Sequence, residues 1–227
     1  NAGYFKANPA HFCKLIIINH KTFKQFTMTN EILYVYLKNH PLFQNAAEHE
    51  INGATSVMKI KTVYRGESFG YGEGGFSKIY LLIKGKVKIA ELNSDCNELI
   101  KDLLTSPDMF GDLSMDGQCS CDEYAEALTA NTVVCMINSS DLKNLLTHHP
   151  AMAVAYANMM NKKLRKMENR HSDLVFYDAK ARLIRFIRNW ASTDGNKVGD
   201  KIILENYLTH TDIANVISTS RQSVNVL

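Results

Sequence analysis

The sequence predicts an α+β chain with an antiparallel β-roll, a long helix and a C-terminal helix-turn-helix, in that order. Short segments bounded by turn residues dominate the stretch from Val57 to Ile137, which is typical of a sandwich or barrel. A seam of apolar residues at heptad spacing follows from Ala153 to Leu174. The last nineteen residues, Thr209 to Leu227, have the pattern of two short helices joined by a tight turn.

Composition and charge narrow the class of protein. The 227 residues, 45% of them hydrophobic, fit one large or two small domains with sizeable cores. Residues 1–150 contain 14 basic and 16 acidic residues, whereas residues 151–227 contain 12 and 7, so a polyanion would bind the C-terminal third. No apolar run, the segment Leu15 to Ile18 included, approaches the length of a membrane span, so neither a spanning helix nor a signal peptide is predicted. Five irregularly spaced cysteines favour a reducing cytoplasm over a disulfide framework.

The N-terminal half is predicted to contain one short helix followed by the strands of the roll. Residues 1–29 are interpreted as an N-terminal extension, and Asn30 to Lys38 as a helix that ends before Pro41. The glycine-rich stretch from Gly66 to Gly75 indicates turns, because no βαβ pattern surrounds it as a dinucleotide fingerprint requires. The predicted strands are Val57 to Tyr64, Ile79 to Ile83, Lys86 to Leu92, Glu98 to Leu104, Ala125 to Ala130 and Thr132 to Ile137.

The long helix shows the most regular pattern in the chain. Apolar residues recur at spacings of four and three over three heptads, which favours pairing with a second copy of the helix over packing on its own barrel. We therefore expect a homodimer. The members of this seam are Ala153, Ala157, Met160, Leu164, Met167, His171 and Leu174, of which His171 alone is polar.

A further helix and a short strand precede the helix-turn-helix. Asp178 is predicted to cap a helix over residues 179–191, and Lys201 to Leu204 is predicted to be a short strand. The predicted inward side chains of this helix are Leu183, Ile184, Phe186, Ile187 and Trp190. The arginines expected to face solvent, within reach of phosphates, are Arg182, Arg185 and Arg188.

The final helix pair carries capping signals and a polar outer face. Thr209 and Asp212 have the spacing of a capping box, and Thr219 and Gln222 repeat it for the second helix. The second helix presents short or planar hydrogen-bonding groups, which suit base edges and phosphates in a major groove. The predicted DNA-binding residues are Thr209, Thr211, Ser220, Arg221, Gln222, Ser223 and Asn225, with Arg221 and Gln222 as base contacts and Thr211, Ser220 and Ser223 as phosphate contacts.

Several motifs resemble the cyclic AMP receptor protein (Crp/Fnr) family. They are Gly85 within Ile-Lys-Gly-Lys-Val-Lys-Ile, Phe110-Gly111-Asp112-Leu113-Ser114, His40-Pro41-Leu42-Phe43, and His149-Pro150 at the start of the long helix. The resemblance implies a cyclic-nucleotide-binding-like jelly roll over residues 30–150, a dimerisation helix over residues 151–177 and a winged helix-turn-helix over residues 178–227. Family members continue into a β-wing, so we expect the DNA-binding unit over residues 178–227 to be incomplete, either because it continues beyond Leu227 or because the remainder is absent.

The same resemblance implies an effector site with altered chemistry. In the family, loop N–H groups and an arginine hold the phosphate of the nucleotide, and an acid bonds the ribose hydroxyl. Asp112 matches that acid, but Glu123, followed by Tyr124, stands where the arginine is expected and would repel a phosphate. We expect an effector other than cyclic AMP, and the alternative is a pocket without a ligand. The predicted pocket residues are Phe110, Gly111, Asp112, Leu113, Ser114, Glu123 and Tyr124.

Other cofactors have weaker support. Cys13 is the single cysteine in the first 95 residues, which argues against an iron–sulfur cluster, and Cys119-Ser-Cys121 lacks zinc-site spacing. Two free thiols there leave redox sensing open as an alternative, and haem remains open because histidines and methionines are available as axial ligands.

The sequence thus predicts a cytoplasmic, homodimeric transcriptional regulator that binds a double-stranded DNA operator, with RNA polymerase as a further candidate partner. No catalytic constellation and no metal site are apparent, so we do not expect an enzyme. Two alternatives remain. One is a cyclic-nucleotide-binding-like module that regulates a partner protein, and the other is a haem or redox gas sensor.

Overall fold

A computed structural model describes residues 30–70, 78–114 and 123–227, which divide into two compact units after Met160. Helix α4 (Pro150–Phe176) begins in the first unit and ends in the second. Three interpretations fall outside the described residues: the extension over residues 1–29 with Cys13, the glycines between positions 71 and 77, and the pair Cys119 and Cys121. The predicted start of the first strand at Val57 is corrected, because Val57 is the last residue of a helix.

The first unit is a roll of two antiparallel sheets with helices beside it. Its strands are β1 (Lys59–Val63), β2 (Ser68–Gly70), β3 (Lys78–Lys84), β4 (Lys86–Leu92), β5 (Glu98–Thr105), β6 (Asp108–Gly111), β7 (Glu123–Ala127) and β8 (Thr132–Asn138). Its helices are α1 (Asn30–Asn39), α2 (Glu48–Val57) and α3 (Ser139–His148). The strand orders are β1-β8-β3-β6 and β2-β7-β4-β5, with antiparallel neighbours. The predicted α+β class and antiparallel roll are confirmed, and β6 is a strand that the sequence did not indicate.

Strand β3 is buried on both faces and separates two apolar cores. Because successive side chains of a strand point to opposite faces, Ile79 and Leu81 join the core under the helices, whereas Tyr80 and Leu82 join the core between the sheets. The second core contains side chains from both sheets, including Val87 of β4 and Ala125 of β7. The continuous apolar run in β3 therefore reflects a strand covered on both sides.

Two glycines hold backbone conformations that other residues rarely adopt. Gly85 (φ +96°) turns the chain between β3 and β4, and an added Cβ would lie 2.6 Å from Oγ1 of Thr132. Gly111 (φ +101°) ends β6, where an added Cβ would lie 2.3 Å from the carbonyl oxygen of Lys78. Both family-like motifs thus contain a glycine for a steric reason.

Helix α4 has a covered and an open stretch. Met152, Tyr156 and Met159 are buried in the core of the first unit. The seam residues in the second unit are open in the single chain, since Leu164 is 54% exposed and Met167 is 67% exposed. Helical periodicity places an apolar stripe there that a single chain leaves uncovered.

The second unit contains α5 (Ala179–Asp194), a hairpin of β9 (Asn196–Val198) and β10 (Lys201–Ile203), α6 (His210–Val216) and α7 (Arg221–Val226). Asp178 caps α5 as predicted, because its Oδ1 accepts a hydrogen bond from N–H of Ala181 at 2.8 Å. The predicted inward placement of Ile184 and Ile187 is wrong, since each is 43% exposed. Periodicity identifies an apolar face but does not say whether a partner covers it. Trp190 does pack, against Phe186 and Tyr207.

Candidate nucleic-acid interface and effector loop

The first helix of the C-terminal pair begins with the predicted capping box. The side chain of Thr209 accepts a hydrogen bond from N–H of Asp212 at 3.1 Å, and Oδ2 of Asp212 accepts one from N–H of Thr209 at 2.8 Å. These reciprocal bonds satisfy donors that the first turn of a helix leaves free. Asp212 is buried together with Ala214, which fixes α6 within the unit.

The second helix begins one residue later than predicted. Oγ of Ser220 accepts a hydrogen bond from N–H of Ser223 at 3.0 Å, so Ser220 is the N-cap and Thr219 is not. The turn between α6 and α7 is therefore one residue longer than predicted. In this turn Ser218 adopts a left-handed conformation (φ 54°), and N–H of Thr219 donates a hydrogen bond to the carbonyl of Ala214 at 3.0 Å. This is the hydrogen bond of a Schellman motif, which ends α6.

The predicted base-contacting side chains lie on an open face of α7. Arg221, Gln222 and Asn225 are exposed, and Val224 is half-buried. Leu227 is 49% exposed.

The remaining predicted DNA-binding residues lie at the starts of the two helices. Thr209, Thr211 and Ser220 are exposed, and Ser223 is half-buried. Nδ1 of His210 lies 2.5 Å from Oδ1 of Asn225, which brings the start of α6 to the outer face of α7. All seven predicted DNA-binding residues therefore lie on the helix pair or at the starts of its helices. Their contacts with DNA remain predictions.

Arg182 does not have the solvent-facing role predicted for it. Its guanidinium donates hydrogen bonds to the backbone carbonyls of Tyr177 at 2.7 Å, Ile217 at 2.9 Å and Ser218 at 3.2 Å. The expectation of a phosphate contact is therefore corrected. No local sequence signal identifies this role, because Ile217 and Ser218 lie 35 and 36 residues further along the chain.

The neighbouring Arg185 joins helices α4 and α5. Its Nε lies 2.8 Å from Oδ1 of Asp173, and its guanidinium lies 4.5 Å from the ring centroid of Tyr177. The ion pair and the cation–π contact engage this arginine within the protein. Arg188 is exposed on the same helix.

The predicted effector loop begins inside the apolar core of the roll. The ring of Phe110 stacks on Tyr80 with centroids 5.0 Å apart, and lies 5.8 Å from Phe69. Phe110 is only 3% exposed, so it contributes packing to the loop. Leu113 is half-buried and Ser114 is exposed.

Asp112 is a buried carboxylate bonded by hydroxyl groups. Its Oδ1 accepts a hydrogen bond from Oγ of Ser114 at 2.7 Å, and its Oδ2 accepts one from Oγ of Ser139 at 3.1 Å. N–H of Asp112 donates to the carbonyl of Lys78 at 3.0 Å, and N–H of Leu113 donates to the carbonyl of Gly111 at 2.8 Å. Two amides of this loop are therefore hydrogen-bonded within the protein.

Glu123 and Tyr124 lie on opposite faces of β7. Glu123 shares the face of Ala125, which belongs to the roll interior, and its Oε1 lies 3.5 Å from Nζ of Lys101. The hydroxyl of Tyr124 donates a hydrogen bond to Glu98 on the other face. Burial, and then the bond with Glu98, raises the pKa of Tyr124. The two side chains therefore do not approach one pocket from the same face.

A buried lysine lies beside Tyr124. Nζ of Lys88 lies 2.9 Å from Oε1 of Glu98 and 3.2 Å from Oε2 of Glu126, and the lysine side chain is 8% exposed. A buried charge needs such partners, so this group is a paired network within the sheet.

His40 and Cys135, two candidate cofactor ligands, have structural roles or low reactivity in the roll. N–H of Leu42 donates to Nδ1 of His40 at 3.2 Å, so Nε2 carries the proton and donates to the carbonyl of Asp108 at 3.2 Å. Burial raises the pKa of Cys135 to about 12, which keeps its thiol protonated. Cys96 is disulfide-bonded, although the irregular cysteine spacing favoured a reducing compartment. Within residues 30–70, 78–114 and 123–227, no group of three His, Cys, Asp or Glu side chains could hold a metal ion.

Comparison with known proteins defines the class of this protein. Residues 60–149 match the family model described as "Cyclic nucleotide-binding domain", a range that includes β1 to β8 and α3. No helix in the described parts of the chain has the length and apolarity needed to cross a membrane. Together with the helix pair, the match defines a cyclic nucleotide-binding domain followed by a helix-turn-helix.

Relatives of known function extend over more of the chain. The CRP-like cAMP-activated global transcriptional regulator of Mycobacterium tuberculosis is 27% identical over 185 residues, which cover 81% of this chain and 82% of that protein. The anaerobic regulatory protein of Bacillus subtilis is 24% identical over 148 residues, which cover 65% of this chain and 62% of that protein. The matched domain and these relatives together support a regulator of the Crp/Fnr type.

Solved structures show the same fold. A mutant of CooA from Carboxydothermus hydrogenoformans superposes with a TM-score of 0.64 at 22% identity, covering 77% of this chain and 76% of that one. The c-di-GMP responsive global regulator CLP of Xanthomonas campestris superposes with a TM-score of 0.67 at 14% identity, covering 79% and 89%. Both structural similarities show a shared fold and nothing beyond it.

Proposed function

We propose that this protein is a cytoplasmic transcriptional regulator that binds a double-stranded DNA operator through α6 and α7. The observation that carries the proposal is the open face of α7, where Arg221, Gln222 and Asn225 are exposed on a helix held by the Ser220 cap. Arginine and amide side chains at such positions form bidentate hydrogen bonds with guanine and adenine edges. The named relatives are transcriptional regulators, which supports the same role.

We further propose that the protein acts as a homodimer through α4. Leu164, Met167 and Leu174 form an apolar stripe that is 43–67% exposed in the single chain. A second copy would cover this stripe at heptad spacing. A two-fold axis along α4 would place two copies of α7 about 34 Å apart, which is one turn of DNA.

The roll is proposed to sense an effector other than cyclic AMP. Glu123 holds a carboxylate on the interior face of β7, where a nucleotide phosphate would be repelled. Known relatives carry different signals in their names, cyclic AMP for the Mycobacterium tuberculosis protein and c-di-GMP for the Xanthomonas campestris protein. Family membership therefore leaves the effector to the chemistry of each pocket.

The proposal is tested with purified full-length protein. Native mass spectrometry should show a dimer together with any retained ligand. Selection from a randomised duplex library, followed by fluorescence anisotropy, should yield a two-fold symmetric site bound with salt-dependent affinity. RNA polymerase is a candidate partner that a supershift on the selected duplex would reveal. Failure to enrich any duplex would favour a module that regulates a protein partner, and a Soret absorption band would favour a haem sensor.

A further inference from the structure

The guanidinium of Arg182 connects two places in the second unit that lie far apart in sequence. One is the carbonyl of Tyr177, directly after α4 ends. The others are the carbonyls of Ile217 and Ser218, in the turn between α6 and α7. A single planar group therefore joins the end of the long helix to the turn that precedes the predicted recognition helix.

These carbonyls are suited to a cation. The last carbonyls of a helix have no intrahelical partner, and they carry the negative end of the helix dipole. Tyr177 follows α4, and Ile217 is the C-cap of α6, so two helix ends converge on one positive charge. Arginine can bond several acceptors in fixed directions, because its five donors lie in one rigid plane.

A second arginine strengthens the same junction. Nη2 of Arg170, on α4, lies 3.5 Å from the carbonyl of Asn215 near the end of α6. Two arginines therefore connect α6 and the turn after it with α4 or with the residue that follows α4, each through hydrogen bonds to backbone carbonyls. Because α4 carries the proposed dimer seam, this relation would fix how each protomer of the dimer presents α7.

We infer that Arg182 is a positioning residue that holds the turn before α7 in place relative to the end of α4. The turn needs such support, because Ser218 has a positive φ that a side-chain-bearing residue adopts at a cost. The effect on DNA rests on the proposed function, through the placement of Arg221 and Gln222. The effect on the turn itself does not depend on DNA binding.

The first measurement follows the turn in the absence of DNA. Hydrogen exchange of backbone amides in the full-length protein would be compared for wild type, Arg182→Gln, Arg182→Lys and the exposed control Arg188→Ala. Loss of hydrogen bonds to a charged group should raise exchange over residues 213–219 by about 10- to 100-fold in both Arg182 variants. Emission of Trp190, the single tryptophan and a residue of the same unit, should stay unchanged and show that the unit remains folded.

The second measurement uses a selected duplex at several salt concentrations. Arg182→Lys and Arg182→Gln should bind about 10- to 100-fold more weakly, with the wild-type slope of affinity against salt. A phosphate contact would behave differently, since its loss lowers that slope by about 0.9. Arg188→Ala should leave exchange over residues 213–219 unchanged.

The outcomes separate this inference from the proposed function. Wild-type exchange in Arg182→Lys would overturn the inference, because charge alone would then suffice without the planar fork. Unchanged exchange in Arg182→Gln, with a lower salt slope, would overturn it in favour of a phosphate contact. If Arg182→Gln unfolds the unit, the exchange rates measured in Arg182→Lys decide whether the inference holds. If wild type binds no DNA, the proposed function fails, and the exchange measurement still supports or overturns the role of Arg182.

Discussion

The hydroxyl of Tyr156 donates a hydrogen bond to the backbone carbonyl of Leu113. This bond joins α4 to the loop after β6, next to the buried carboxylate of Asp112. Burial, with a smaller contribution from the charge of Asp112, raises the pKa of Tyr156 to about 12, so the hydroxyl stays protonated and acts as a donor. The predicted effector loop is therefore attached directly to the helix that carries the proposed dimer seam.

Removal of this hydroxyl should destabilise the protein. Tyr156→Phe leaves the carbonyl of Leu113 without that donor, and an unsatisfied buried acceptor costs about 1–3 kcal/mol. Urea denaturation should show a lower midpoint with an unchanged m-value. Tyr64→Phe is the matched control, because Tyr64 is 52% exposed, and it should leave the midpoint unchanged. Equal midpoints for wild type and Tyr156→Phe would contradict the importance of this bond.

Charge in the α4 seam should dissociate the proposed dimer. Leu164→Glu would place an uncompensated carboxylate between two copies of the helix, at a cost on the order of several kcal/mol. Sedimentation velocity should then show a monomer. Arg165→Glu, one position along and exposed, should remain dimeric. A wild-type dimer in Leu164→Glu would show that the seam is assigned wrongly.

Arg221 should contribute both affinity and selectivity for DNA. Its replacement by alanine removes a predicted bidentate contact with a base, so binding of the selected operator should weaken by about 1–3 kcal/mol. Selectivity should relax at one base pair in each half-site. Anisotropy titrations against operators changed one pair at a time measure both effects, with Arg65→Ala, exposed between β1 and β2, as the control. Unchanged affinity and selectivity would show that α7 has been aligned on the DNA incorrectly.

Cyclic AMP should bind weakly or not at all. Loss of a charge-assisted bidentate pair with the phosphate costs a few kcal/mol, or on the order of a hundredfold in affinity. Isothermal titration with cyclic AMP and cyclic GMP tests this expectation. Micromolar or tighter binding that is lost on changing Asp112 would show that Glu123 is not the counterpart of the family arginine.

A gain of binding would test the same position from the other direction. Glu123→Arg alone would lie beside the ammonium of Lys101, which is 3.5 Å from the native carboxylate. The paired change Glu123→Arg with Lys101→Gln is the better-matched variant, because it removes this repulsion without placing a carboxylate beside Glu91, which lies 2.9 Å from Nζ of Lys101. New binding of cyclic AMP would show that the pocket geometry is inherited and that its chemistry alone has changed.

Mild acid should destabilise the fold through His40. Burial lowers the pKa of His40 below its ordinary value of 6.5, although the bond with Asp108 opposes the shift. Above pH 6.5 the imidazole is neutral in both the folded and the unfolded chain. Between pH 6.5 and the lower pKa of the folded state, the unfolded chain binds a proton that the folded chain does not. Stability should therefore be full above about pH 6.5 and fall as the pH is lowered through the folded-state pKa.

Urea denaturation at about pH 7.5 and about pH 5.5 measures this loss, which cannot exceed about 1.4 kcal/mol per pH unit for one group. His40→Gln should reduce the difference between the two conditions, whereas the exposed control His49→Gln, outside the seam, should not. An undiminished difference in His40→Gln would assign the acid sensitivity to another group.

Local sequence patterns determined much of the fold. Alternation predicted most strands of the roll, since burial on one face of a strand repeats every two residues. Capping spacing predicted Thr209 and Asp178 as helix starts, because those hydrogen bonds connect residues only three positions apart. The heptad spacing of α4 was an equally local property.

Only the tertiary structure decided the roles that depend on distant partners. The sequence predicted a solvent-facing Arg182, whereas the structure shows its guanidinium bonded to the carbonyl of Ile217. The sequence predicted Asp112 as a pocket acid, and the structure adds a hydrogen bond from Ser139 to its carboxylate. Such roles are set by directional hydrogen bonds between groups tens of residues apart, and neither periodicity nor charge counts contain that information. The start of α7 at Arg221 was likewise decided by the backbone of the turn, because the positive φ of Ser218 is a property of the folded chain.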